Sequence, residues 1–117
     1  MKQEDKELLF KDLCARLPYG LKYNYGGYDG RDYIMNQIDC KVVDCAFPIE
    51  NVKPYLFPLS SMTKVQKNDY QYIAVKWMYD SSYSIIDSID WLNKNLFDYR
   101  GLIEKGLAID ATGLNIY

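Results

Sequence analysis

Four tyrosines surround one arginine in the segment "GLKYNYGGYDGRDY", residues 20–33. Aromatic rings beside a guanidinium group can stack a nucleobase or hold a small phosphate-bearing ligand. The same tyrosines could equally be cross-strand pairs that only stabilise a hairpin, so both interpretations stay open. The candidate ligand-binding or partner-binding residues of this segment are Tyr23, Tyr25, Tyr28, Arg31 and Tyr33.

The glycines of this segment do not have the spacing of a phosphate-binding loop. Such a loop needs glycines at fixed offsets between a strand and a helix, so that backbone amides face the phosphate. Gly26, Gly27 and Gly30 give the pattern G-G-x-x-G, and the residues that follow are strand-like. Because Asp29-Gly30 is a favourable turn dipeptide, the sequence predicts the tip of a β-hairpin here.

The chain has no histidine and only three cysteines, which removes most common catalytic arrangements. Ser-His-Asp and Cys-His sites, and zinc sites with histidine or four cysteine ligands, cannot be built. Two pairs of aspartates are close in sequence, Asp87 with Asp90 and Asp29 with Asp32. Acid–base catalysis needs such carboxylates in different environments inside a cleft, which the sequence does not indicate. We therefore expect no metal site, no cofactor and no enzyme, with carboxylate chemistry as the minor alternative.

A second aromatic group lies in the C-terminal half of the chain. Trp77 falls on an apolar helical stripe and is expected in the core, whereas Trp91 falls off the neighbouring stripe. Trp91 is therefore expected to contact the sheet, a partner or a second copy of the chain. Trp91, Tyr99 and Arg100 form the candidate interface, and a homodimer would be the commonest such assembly.

Charge and composition narrow the class of partner. The formal charge is −2 and the pI is about 5.0, and three arginines and eleven lysines form no basic cluster, which argues against nucleic acid. No apolar run approaches the roughly 18 residues of a membrane span. Without a signal-peptide pattern in "MKQEDKELLF", the cysteines are expected to be reduced, buried small residues in the cytoplasm.

Hydrophobic periodicity predicts one α+β domain over residues 1–117. Helical spacing from Leu9 to Leu17 predicts an amphipathic helix that Pro18 and Gly20 end, with Lys6, Lys11 and Asp12 on its solvated face and Cys14 on its apolar face. Alternation at 21–25, 32–39 and 41–47 then predicts three antiparallel strands in a meander.

The remaining residues predict turns, two helices and an irregular tail. Pro48, Pro54 and Pro58 favour turns, with a short helical turn over 50–55. Thr63-Lys64-Val65-Gln66 fits a helix capping box. The stripes expected to face the core are Tyr70, Ile73, Ala74, Trp77 and Met78 on the first helix, and Ile85, Ile86, Ile89, Leu92 and Leu96 on the second. The predicted fold is therefore an N-terminal helix, a small antiparallel sheet of about three strands, two packed helices and an irregular tail containing one short helical turn.

Three phrases of the sequence resemble a known group of proteins. They are "KELLFKDLCARLPYG", "VKPYLFPLSSMT" and "DWLNKNLFDYRGLIEKGLAIDATGLNIY". Together they resemble short proteins from gut Bacteroides genomes and their prophages, a group without an established activity. The likeness covers roughly half of the chain and leaves out residues 21–45. It implies a small accessory protein of a mobile element, a class that often inhibits a host protein or sequesters a host signalling molecule, including in counter-defence.

These observations lead to two functional hypotheses. The first is a non-enzymatic binding protein of phage or prophage origin that captures a host protein, or else a nucleotide-like ligand, through the tyrosine-rich hairpin. The alternative is a structural homo-oligomer or assembly protein without a small-molecule ligand.

Overall fold

An N-terminal helix, a small sheet and two further helices follow one another in the computed structural model, which describes residues 2–25, 32–34, 49–76 and 85–117. The α+β fold class is therefore confirmed. The helices are α1 (Gln3–Arg16), α2 (Lys64–Lys76) and α3 (Ile85–Lys94), and the strands are β1 (Lys22–Tyr25), β2 (Asp32–Ile34), β3 (Val52–Pro58), β4 (Phe97–Asp98) and β5 (Ile109–Asp110). Short 3-10 helices occupy Leu17–Tyr19, Ile49–Asn51 and Leu59–Ser61.

Helix α1 buries a mixed face. Leu9 and Leu13 lie in the core as predicted, and Gly20 adopts a φ of 69° just after the helix ends. Asp12 is also fully buried, so its assignment to the solvated face was wrong. It lies three residues after Leu9 and therefore shares the inward side of the helix. Cys14 is exposed, against expectation, because one residue beyond Leu13 turns it away from that side.

Strand β1 lies between β2 and β3 and is antiparallel to both. The β1–β2 register, Tyr23 opposite Tyr33, confirms the pairing of the predicted hairpin, whose tip lies outside the described residues. The strand predicted at 41–47 also lies outside them. Among the described strands β1 has β2 on one side and β3 on the other, and the meander, which needs the strand at 41–47, stays a prediction.

Strand β3 occupies residues for which the prolines predicted turns. The short helical turn is a 3-10 helix at Ile49–Asn51, but Val52 to Pro58 is extended. Proline removes an N–H donor but tolerates extended backbone. Pro54 is the last residue of β3 that pairs with β1, and Pro58 is the last residue of the strand, so each proline lies where a pairing ends. Burial of Val52 and Leu56 stabilises the strand further.

The tail, residues 97–117, was predicted to be irregular, but it contributes two short strands to the sheet. Strands β4 and β5 run parallel to β3, with Phe57 N–H donating to the Leu96 carbonyl (2.9 Å) and Ala111 N–H donating to the Leu56 carbonyl (2.8 Å). The Asp98 carboxylate accepts the N–H groups of Leu102 and Ile103, both at 2.9 Å, and so fixes the predicted turn after β4. Leu102, Leu107 and Ala108 then enter the core.

Helices α2 and α3 pack against each other through Tyr70 and Trp91, whose ring centroids are 5.7 Å apart. The capping box is confirmed, because Thr63 N–H donates to Gln66 Oε1 (2.9 Å) and Gln66 N–H donates to Thr63 Oγ1 (3.2 Å).

The inward face of α3 differs from the predicted stripe. Leu92 and Leu96 are buried, but Ile86 and Ile89 are exposed. Ser88 lies inward instead, four residues before Leu92, so the buried face is rotated around the helix from the predicted one.

Tyr117 links β1 to β3 where the two strands separate. Its hydroxyl accepts the N–H of Lys22 (2.8 Å) and donates to the carbonyl of Tyr55 (2.8 Å). Its ring packs on Phe57 with centroids 5.8 Å apart, and Lys22 Nζ donates to the carbonyl of Ile116. Burial of this hydroxyl raises the pKa of Tyr117 to about 12.

We predict that Tyr117→Phe lowers the free energy of unfolding by about 1–2 kcal/mol, because two backbone groups lose their shared partner. Tyr72→Phe is the matched control: it removes a hydroxyl that pairs with Lys76 at the surface, and should change stability by less than about 0.5 kcal/mol. Urea denaturation measures both. Equal losses in the two variants would contradict the bridging role of Tyr117.

The raised pKa of Tyr117 also predicts an alkaline titration. The folded value of about 12 lies above the ordinary value of 10.0, so the stabilisation is complete below pH 10 and is lost as pH rises through 12. Phenolate absorbance of the wild type minus that of Tyr117→Phe should titrate near pH 12 while circular dichroism still shows folded protein. A midpoint near pH 10 would contradict burial of the hydroxyl.

Candidate binding site

The β1–β2 pair brings two of the candidate tyrosines into contact. Tyr23 and Tyr33 lie directly opposite each other and stack, with ring centroids 5.7 Å apart and planes inclined by 28°. Tyr23 is half-buried against the core, whereas Tyr33 is 38% exposed. Tyr25 is a core residue rather than a surface group, and Tyr28 and Arg31 lie outside the described residues.

On the opposite side of the sheet, Asp32 ties β2 to its neighbour β1 and, across β1, to β3. One carboxylate oxygen accepts hydrogen bonds from the Tyr55 hydroxyl (2.6 Å) and the Asn24 amide (3.1 Å). The Tyr55 bond, followed by the Asn24 bond, lowers the pKa of Asp32. The same bond raises the pKa of Tyr55, so the anionic carboxylate and the neutral phenol stabilise each other.

Strand β2 therefore presents side chains on both faces while its backbone is fixed. Tyr33 and the neighbouring Ile34, which is 61% exposed, point to opposite faces because successive strand residues alternate. We call Asp32, Tyr33 and Ile34 the β2 surface. It is a short exposed segment with one aromatic, one aliphatic and one anionic side chain.

Trp91, from the candidate interface, lies between helix and strand. Its ring stacks on Phe97 of β4, with centroids 5.8 Å apart and planes inclined by 12°, and it contacts Tyr70 on α2. The structure thus gives Trp91 a contact with the sheet, the first of the three partners expected from the sequence.

Tyr99 and Arg100, the other candidate interface residues, join a charged cluster centred on Asp12 and Arg16. Arg16 Nε donates to Asp12 Oδ2 (2.8 Å) and Arg16 Nη2 donates to Asp12 Oδ1 (3.2 Å), with both side chains fully buried. Arg16 Nη2 also donates to the Phe97 carbonyl (2.6 Å). Arg100 Nε donates to Asp12 Oδ1 (3.1 Å), and the Arg100 side chain is 17% exposed. We call Asp12, Arg16, Tyr99 and Arg100 the arginine cluster.

Tyr99 organises both guanidinium groups of the arginine cluster. The Cζ atoms of Arg16 and Arg100 lie 5.4 and 4.9 Å from the centre of its ring, within cation–π range. Its hydroxyl accepts from Arg100 Nη2 (2.9 Å) and donates to Asn93 Oδ1 (3.0 Å). One aromatic residue thus contacts both cations and connects them to α3.

Sequence reasoning missed Asp12 and Arg16 as members of a cluster. The available signal was their i, i+4 spacing on the same side of the helix as Leu9 and Leu13, where an acid and a base can pair. What the sequence could not show is that the tail covers this face.

Two observations on the described residues bear on metal and acid–base chemistry. Within them, no group of three or more histidine, cysteine, aspartate or glutamate residues could hold a metal ion. A groove of about 260 Å³ opens beside Phe57 and Phe97, and its described lining has no titratable side chain. In the same part of the chain, no helix has the length and apolarity needed to cross a membrane.

Comparisons with known proteins found no match: no protein-family description, curated protein sequence or solved structure matches the chain.

Replacing Asp12 tests the arginine cluster as a structural element. Asp12→Asn keeps the shape of the side chain but leaves two guanidinium groups without a counter-charge, so the free energy of unfolding should fall by about 3–5 kcal/mol. Glu4→Gln, the same chemical change on the exposed first turn of α1, should alter it by less than about 0.5 kcal/mol. Chemical denaturation compares the two variants. A loss below 1 kcal/mol in Asp12→Asn would show that the ion pairs contribute little.

Proposed function

We propose that this chain is a non-enzymatic binding protein of phage or prophage origin that captures a host protein through the β2 surface. The observation that carries the proposal is the exposed, stacked tyrosine on an anchored strand: Tyr33 rests on Tyr23 while Asp32 fixes the same strand from the other face. The mobile-element origin and a role as a host-modulating or counter-defence inhibitor rest on the resemblance of the three sequence phrases. A cytoplasmic location belongs to the same proposal.

An anchored tyrosine suits recognition of a protein. Tyrosine is enriched in interface hot spots because it adds a large contact area with few rotatable bonds. Stacking on Tyr23 restricts the ring of Tyr33 further, so less conformational entropy is lost on binding. Ile34 adds an exposed apolar group on the other face of the same strand.

The charge of the β2 surface favours a protein over a nucleotide-like ligand. Its charged group is the Asp32 carboxylate, which two hydrogen bonds hold in the ionised form. The phosphates of a nucleotide would meet this negative charge, whereas a protein can offer it a basic or hydrogen-bond-donating side chain.

The β2 surface predicts a specific effect on capture. Tyr33→Ser combined with Ile34→Ser should abolish retention of a host protein when the tagged chain is purified gently from its host and analysed by native mass spectrometry. Val65→Ser combined with Tyr72→Ser is the matched control, because it removes the same types of side chain from exposed positions on α2. Retention of the partner by the β2 variant would refute the site.

A second candidate function, a structural homo-oligomer, is favoured by the outer face of α2. Val65 and Tyr72 are 68% and 61% exposed, and Val75 is also exposed. Their spacing of seven and three residues places them on one side of the helix. No α2 side chain is fully buried, and these three residues form an exposed apolar stripe on the outer face of the helix.

The same pair of variants separates the two candidate functions. If the chain is a homo-oligomer, sedimentation velocity should show an assembly that Val65→Ser with Tyr72→Ser dissociates and that Tyr33→Ser with Ile34→Ser leaves intact. A strict monomer at concentrations up to about 100 μM would exclude a stable oligomer, since weaker association is typical of small or poorly packed contacts.

A further inference from the structure

The arginine cluster is largely buried and has a net positive charge. Asp12 and Arg16 are fully buried and Arg100 is largely covered, so two cations share one carboxylate. Buried charges are stabilised when they are paired and hydrogen-bonded, and an excess charge in such a place attracts a counter-ion. One negative charge would neutralise the cluster.

The guanidinium of Arg16 has one nitrogen without an acceptor. Nε and Nη2 donate to Asp12, and Nη2 donates in addition to the Phe97 carbonyl. Nη1 is buried and has no hydrogen-bond partner. A buried N–H of a charged group left unpaired is costly, and the Tyr99 ring offers its π face to the cation but no oxygen acceptor.

No neighbouring polar group accepts a hydrogen bond from Arg16 Nη1. Asp12 Oδ1 accepts from both arginines and Oδ2 accepts from Arg16 Nε. The Tyr99 hydroxyl accepts from Arg100 and donates to Asn93. An anion beside Arg16 Nη1 would supply both an acceptor and the missing negative charge.

We propose that the arginine cluster is a binding site for one small oxyanion, a carboxylate or a phosphate group, which accepts hydrogen bonds from Arg16 Nη1 and from Arg100. Guanidinium groups have the planar donor geometry that such oxyanions match. Arg100 is the partly exposed member of the cluster, so the anion approaches from its side. The site is separate from the β2 surface and stands or falls without it.

Binding of simple anions to the dialysed full chain tests this proposal. Inorganic phosphate and acetate are titrated separately at constant ionic strength, with sodium chloride as the balancing salt, and calorimetry and thermal unfolding are followed. We expect saturable binding of at least one anion and a matching rise in the unfolding temperature. Phosphate alone would identify a phosphate group, acetate alone a carboxylate, and both a general oxyanion site.

Variants of Arg100, which is only partly buried, test the site without altering its fully buried members. Arg100→Gln should weaken the apparent affinity about tenfold or more, because it removes a charged donor from the anion. Arg100→Lys, which keeps the charge but lacks the planar fork, should lie between Arg100→Gln and the wild type. Lys53→Gln removes a cation from an exposed position on β3 and should leave the affinity unchanged. The proposal is overturned if neither anion binds saturably, or if Arg100→Gln binds as tightly as the wild type.

Discussion

The buried ion pair between Asp12 and Arg16 is the constraint on which the rest of the fold depends. Through it, α1 is tied to the Phe97 carbonyl on β4 and to Arg100 in the turn that follows. Burying charge carries a large desolvation cost, so pairs of this kind often contribute more to the choice of one arrangement than to net stability. Here the arrangement chosen is the docking of the tail on the first helix, which also positions Phe97 beneath Trp91.

Strand β3 also organises the fold, because it pairs with strands from both the N-terminal and the C-terminal part of the described chain. Its first half pairs with β1, whereas its second half pairs with the two short strands of the tail. Two-residue strands are weak alone, so their positions follow from the core residues around them, Leu102 and Leu107, and from the hydroxyl of Tyr117. Strand β2 pairs with β1, which in turn pairs with β3. This pairing holds the backbone of the β2 surface in place while its side chains remain exposed.

Local signals in the sequence predicted local features well. The first helix, the capping box at Thr63 and the antiparallel pairing of β1 with β2 all depend on residues close to one another in the sequence. The strand through Pro54, the burial of Asp12 and the outward position of Ile86 depend instead on which distant element covers each face. Tyr33 and Arg100 became candidates because of their residue types, whereas Arg16 was missed because a charged side chain is rarely expected at full burial.

The span of these contacts has a consequence for folding kinetics. The bond from Arg16 to Phe97 joins residues 81 positions apart, and the bond from Arg100 to Asp12 joins residues 88 positions apart. Loop-closure entropy must be lost before such contacts stabilise anything, and domains with high contact order fold slowly compared with helical bundles. Until residues 97–117 dock, α1 and β3 lack part of their packing, so we expect docking of the tail to be a late step of folding.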